Sequence, residues 1–186
     1  MTSLASTVNT RRFRRVFGHF CTGVTVITTA DADGPAGFAC QAFAPLSLDP
    51  PLVLFCPQDL SDTWRRIRSR GVFCVNVLAD DQRDVSRAFG MRGVDKFAGV
   101  PWHPAPSGAP ILDGALTWAD CRVESVHPGG DHAIVIGRVT TLGDCRDAGP
   151  LLFHKGRYTG TAAVSPHEPP EVVDTLLAWP RHTDWI

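Results

Sequence analysis

The chain has 186 residues, 44% of them hydrophobic, and a formal net charge of −1. That length suits one domain with a terminal arm, and the balanced charge leaves no basic stripe of the kind that selects nucleic acid. No apolar run is long enough to cross a bilayer, and the polar, then basic, N-terminus has no apolar leader, so a cytoplasmic protein with no membrane partner is expected.

Residues 1–8 read as loose. Asn9 or Thr10 can cap a helix running to about Phe20, with Phe13, Val16, Phe17 and Phe20 on one apolar stripe. Its arginines, Arg11, Arg12, Arg14 and Arg15, suit either an anionic partner or a plain wet face. The β-branched run from Gly23 to Thr29 predicts a strand, and Asp31 to Pro35 a turn. Further strands are predicted at about 36–44 and 52–56, as antiparallel neighbours or a barrel corner. Ser61 caps a helix over about 62–69 with Trp64 and Ile67 facing inward, and Gly71 ends it. A strand over Val72–Leu78 follows, then a helix from Asp80 to about Phe89. Residues 90–114 are rich in Gly and Pro and read as a long surface excursion. Leu116–Val126 and His132–Thr141 form a hairpin around the turn at 127–131. Leu151–Phe153 and Arg157–Tyr158 give a last short pair. Residues 1–160 are thus expected to form one domain, and 161–186 a linker and C-terminal tail with a helical stretch from Glu171 to Trp179. Many strands with few, irregularly placed helices argue against a doubly wound sheet and for a mainly β barrel, closed or nearly closed, with flanking helices.

The cysteines at 21, 40, 56, 74, 121 and 145 form no CxxC pair and read as free thiols. Neither phosphate-binding loop, GxGxxG or GxxxxGK[ST], occurs, nor does HExxH or GxSxG. His127 and His132 lack a cysteine partner that would complete a zinc set, so no metal is expected.

The stretch from Gly34 to Pro57 carries the most chemistry. Gly37, Ala39 and Ala42 keep a strand surface low, so a flat ring such as an isoalloxazine can approach backbone donors and acceptors, framed by Phe38 and Gln41. The same residues also suit a small-residue strand packed tightly in a barrel. Ser61 and Thr63 at a helix N-terminus can seat a phosphate or simply cap the helix; Asp59 and Asp62 oppose an anion there unless their side chains turn away. Phe89 and Lys96 are further candidates for the ribityl or adenine side. His132, after a tight turn, can hydrogen-bond a carboxamide or a ring edge, or be merely exposed. Tyr158, the only tyrosine, can line the same cleft.

These segments resemble the flavin reductase-like family, the reductase components of two-component flavin-dependent monooxygenases. The resemblance rests on Phe20–Thr29, Gly37–Phe43, Ser47–Leu54, Phe73–Leu78, Asp95–Val100, Gly129–His132, Leu151–Phe153 and Gly156–Tyr158, in order over about residues 10–160. Within the family, GFACQ and LVLFCP are most similar to reductases that serve actinobacterial hydroxylation of a phenolic steroid ring. The resemblance implies a split β-barrel homodimer with flavin in a groove. By position, Phe38 to Ala42 (with Cys40) together with Ser47 and Leu48 would flank the ring and ribityl chain. Phe55, Cys56, Pro57, Ser61 and Thr63 would lie toward the phosphates, and His132 and Tyr158 on the nicotinamide side. Many relatives carry Thr or Ser where this chain has Phe38 and Cys40, so backbone contacts to the ring gain weight. The implied reaction is hydride transfer from NADH to FAD, without a protein nucleophile. Reduced FAD would then pass to a separate monooxygenase; FMN in place of FAD remains open, as does NADPH. The rival readings are a tightly flavin-bound oxidase and a non-catalytic flavin- or haem-binding module on the same barrel.

Overall fold

The computed structural model describes residues 8–161. Helix α1 (Thr10–Phe17) precedes strands β1 (Thr22–Gly23), β2 (Thr25–Asp31), β3 (Gly34–Cys40), β4 (Phe43–Leu48) and β5 (Pro51–Phe55). Helix α2 (Asp62–Arg70), strand β6 (Val72–Val77) and helix α3 (Arg83–Gly90) follow. The rest is β7 (Trp102–Pro104), β8 (Pro110–Leu112), β9 (Thr117–Pro128), β10 (Ala133–Leu142), β11 (Leu152–His154) and β12 (Arg157–Thr159).

Seven strands pair in the order β3-β2-β6-β9-β10-β5-β4, every pairing antiparallel. The order explains the shape. β3 and β4 are consecutive in the chain, joined only by Gln41 and Ala42, yet they are the two end strands of the sheet. The sheet must therefore curl until its ends meet. Phe38 of β3 lies 6.2 Å from Phe55 of β5, ring centroid to ring centroid. The end strands are not paired with each other among the described residues, so the mainly β barrel stays split along that seam.

Two cores hold it. Trp64 and Ile67 of α2 sink among Phe55, Phe73, Val75 and Val135; each such side chain contributes about 2 kcal/mol by leaving water. On the other side Phe89 of α3 packs with Val24, Val26, Leu78, Leu112 and Leu151. Ser61 caps α2, its hydroxyl accepting the Trp64 N–H at 3.3 Å, and Gly71 ends it in the left-handed conformation at φ 70°.

Several expectations need correction. The strand predicted at 36–44 breaks at Gln41–Ala42 into β3 and β4, because the chain there crosses from one end of the sheet to the other. Pro45 lies inside β4, which is tolerable on an end strand that need not donate on its outer side. The first helix stops at Phe17, with Gly18 as its C-cap. The third begins at Arg83 instead of Asp80: the Gln82 side chain accepts the Ala79 N–H at 3.1 Å and donates to Asp113 O at 3.0 Å, closing a turn first. Residues 90–114 are not only a surface excursion. Ala105, Ala109, Ile111 and Leu112 are buried, and the buried Asn76 amide donates to Pro110 O at 3.3 Å and accepts the Leu112 N–H at 2.8 Å. The tail expected after 161, with its helix at 171–179, lies outside the described residues.

Candidate active-site groove

A groove of about 1090 Å³ runs between the β3–β4 link, the loop from Cys56 into α2, and α3. It brings together thirteen of the predicted site residues: Phe38, Ala39, Cys40, Gln41 and Ala42; Cys56, Pro57, Ser61 and Thr63; and Phe89, Lys96, His132 and Tyr158.

Each wall has a local cause. Gly37 O accepts from Lys96 Nζ at 3.1 Å and from the Thr63 hydroxyl at 3.4 Å, so it points away from β2. By the two-residue repeat of a strand, Ala39 turns its own N–H and C=O the same way, into the groove. The adjoining loop is tied down by Cys56 N donating to Ala42 O at 3.0 Å and Ala133 N donating to Pro57 O at 3.0 Å. Asp62, at the start of α2 and also on the groove lining, pairs with Arg65 along the helix, so its carboxylate is partly neutralised where an anion would meet the helix N-terminus. His132 donates from Nδ1 to the Asp131 carboxylate at 2.7 Å, which leaves Nε2 to face a ligand. That contact and the imidazole charge hold the Asp131 carboxyl below the usual carboxylate range.

Lys96 donates also to Phe89 O at 3.2 Å, so its ammonium satisfies a carbonyl in the last turn of α3. Burial, helped by the charge of Arg92, lowers its pKa. Burial pushes the Cys40 thiol up to about 11 and raises that of Cys56. Both stay protonated at neutral pH, and neither is set up as a nucleophile. Among the described residues no three His, Cys, Asp or Glu side chains are grouped to hold a metal ion.

Four predicted residues do not line the groove. Phe55 is fully buried in the core beneath it. Ser47 and Leu48 lie at the far end of β4, roughly 17–20 Å from Ala42 at the rise of an extended strand. Gly37 is buried, and its missing side chain serves packing: a Cβ there would stand 2.6 Å from the Phe89 ring. Arg11, Arg12, Arg14 and Arg15 belong to α1, which is exposed along its length and is not part of the lining. Conversely, Gln58, Leu60, Ser86, Arg87, Met91, Arg92 and Phe153 line the groove without having been singled out from the sequence. Arg92 and Gln58 meet across it at 2.9 Å. Apart from Phe153, on β11 and within the matched Leu151–Phe153 segment, these residues come from loops and a helix face with no motif, and only the tertiary fold brings them together.

The donor set suits a flat ring with an anionic tail. One wall offers small residues, an outward strand edge and the α2 N-terminus; the other carries Lys96, Arg87 and Arg92. The rim residues Gln41, Leu60, Met91 and Arg92 are exposed, so the groove is open to solvent.

Comparison with known proteins gives a consistent picture. The flavin reductase like domain model matches residues 17–162. The reductase subunit HsaB of a flavin-dependent monooxygenase from Rhodococcus jostii is 56% identical over 156 residues, 84% of this chain and 80% of that protein. Nitrilotriacetate monooxygenase component B from Mycobacterium thermoresistibile superposes with a TM-score of 0.82 at 51% identity, covering 90% of this chain and 96% of that one. The NADH:FAD oxidoreductase SgcE6 of Streptomyces globisporus, in complex with NAD and FAD fragments, does so with a TM-score of 0.79 at 36% identity, covering 86% and 98%.

Proposed function

The chain belongs to the flavin reductase-like family, and from that premise we propose that it is the reductase component of a two-component monooxygenase, passing a hydride from NADH to FAD. The observation that carries this is the groove itself, where small residues and an outward strand edge face a cationic helix wall. When bound, the flavin supplies the redox chemistry, accepting a hydride that no protein side chain could carry. The chain's own residues bind and orient. Phe38 to Ala42 hold the ring, with the Ala39 backbone at its polar edge. Cys56, Pro57 and Ser61, with the α2 N-terminus and Lys96, receive the ribityl and phosphate groups. His132, through Nε2, and Tyr158 orient the nicotinamide. Stacking two rings in reacting geometry is the main catalytic contribution such a site can make.

The open rim favours a flavin that leaves after reduction and reaches a separate oxygenase. A steroid-ring hydroxylase is the partner type served by the reductases that the sequence most resembles. The active form is proposed as a homodimer, with residues 1–160 as the reductase domain and 161–186 as a linker and tail. Steady-state NADH oxidation with FAD, FMN and riboflavin, repeated with NADPH, tests the reading. Consumption that depends on added FAD, from protein that loses flavin on gel filtration, supports it. Retained flavin with oxidase turnover, or no NADH consumption, contradicts it.

A further inference from the structure

The cations lining the groove are Arg87, Arg92 and Lys96. Two of them are occupied inside it. Lys96 serves two backbone carbonyls, and Arg92 donates to the Gln58 side chain at 2.9 Å. Arg87 is placed differently. Its guanidinium carbon stands over the Tyr158 ring, 5.8 Å from the centroid. Tyr158 is itself fixed, its hydroxyl 3.0 Å from that of the buried Ser86 and its ring edge-on to Phe153. A guanidinium held over an aromatic face keeps its N–H edge outward, in the planar fork that matches a phosphate. Its acidic partner is Asp84, 3.0 Å away, one helical turn back, with a side chain 94% exposed. A pair so exposed is weak and yields to a better acceptor.

The anion seat at the α2 N-terminus lies on the opposite wall, so the groove offers two separate phosphate positions. We infer that Arg87, stacked on Tyr158, is a binding residue for the nicotinamide dinucleotide and holds its diphosphate. The inference rests on the reading above, in which Tyr158 faces the nicotinamide side. The diphosphate is common to both nicotinamide dinucleotides, whereas the 2′-phosphate belongs to one.

The test is calorimetric titration of NAD⁺ and of NADP⁺ into FAD-saturated full-length protein, parent against Arg87→Ala and Arg87→Lys, beside KM values for NADH and FAD. Loss of one charge-assisted contact is expected to weaken both dinucleotides about tenfold in Arg87→Ala. The FAD KM and kcat should stay within about twofold of the parent, and Arg87→Lys, which keeps the charge but not the fork, should recover part of the loss. Unchanged NAD⁺ binding overturns the inference. So does an effect on NADP⁺ alone, which would assign Arg87 to the 2′-phosphate, or a rise confined to the FAD KM, which would assign it to the flavin. If the parent binds NAD⁺ normally but reduces no flavin, the proposed reaction fails while the titration still decides Arg87.

Discussion

One wall of the groove comes from a single stretch of chain, residues 38–63, whereas the other draws on residues 86–96 and on Phe153 and Tyr158. The first wall is made by local rules: a small-residue strand, a two-residue link, a capped helix. The second is made by contacts across the fold, such as Ser86 with Tyr158 and Lys96 with Gly37, separated by 72 and 59 residues. Gly37 joins the two walls. On one side it belongs to the β3 edge, and on the other it gives Phe89 room to pack.

That junction gives the largest expected effect. Gly37→Ala puts a methyl group 2.6 Å from the Phe89 ring and 3.2 Å from Ile27 O, both fixed in the core. Overpacking of this kind should cost about 2 kcal/mol, read as a lower denaturant midpoint, and should separate α3 from β3. A parent-like midpoint would mean the walls are not coupled there.

Ser61→Ala tests the local wall by itself. It removes the cap on the Trp64 N–H and should cost about 1 kcal/mol in urea unfolding, while raising the FAD KM and leaving the NADH KM near the parent's. An NADH KM that moves with it would blur the distinction between the walls.

The smallest effect is in pH. Arg66 donates two hydrogen bonds to Asp31 and one to Gly34 O, closing the β2–β3 hairpin behind the first wall. The bonded guanidinium holds the Asp31 carboxyl below its ordinary value of 3.8. Between the folded and unfolded pKa values the unfolded chain binds more protons, so stability rises with pH in that window and is flat above it. The pair's contribution is therefore fully present at neutral pH and is lost as pH falls below about 4 through the folded value. Asp31→Asn should flatten part of the acid limb of a melting-temperature profile. An unchanged limb would assign the acid sensitivity to other carboxylates.

The same contrast governs what the sequence discloses. Helix α2 is legible because Ser61 and Gly71 act on neighbours a few residues away, and Trp64 and Ile67 are spaced to share one helix face. The β9–β10 hairpin is legible from its turn and from the strand-like runs on either side, the first of them alternating. The break after Cys40 is not, since Gln41 and Ala42 look like strand continuation and become a crossing only because the sheet curls. Asp80 looks like a helix cap, but the Gln82 side chain holds a turn to Asp113, thirty-one residues away. In the site, the family resemblance places residues by alignment and so carries Ser47, Leu48 and Phe55 toward the ligand, although strand length and core packing put them elsewhere. Arg87 and Arg92 carry no local signal, for their meaning comes from Tyr158 and Gln58.

The central claim is that this groove is where flavin is reduced, and Ala42→Trp tests it most directly. Ala42 is exposed on the groove wall and contributes its backbone carbonyl to the fold, so a larger side chain should fill the groove without unfolding the protein. FAD-dependent NADH oxidation by this variant is expected to fall by roughly tenfold or more, with the thermal unfolding midpoint unchanged, as blocked positioning requires. Parent-like kcat and KM for both NADH and FAD would contradict the account.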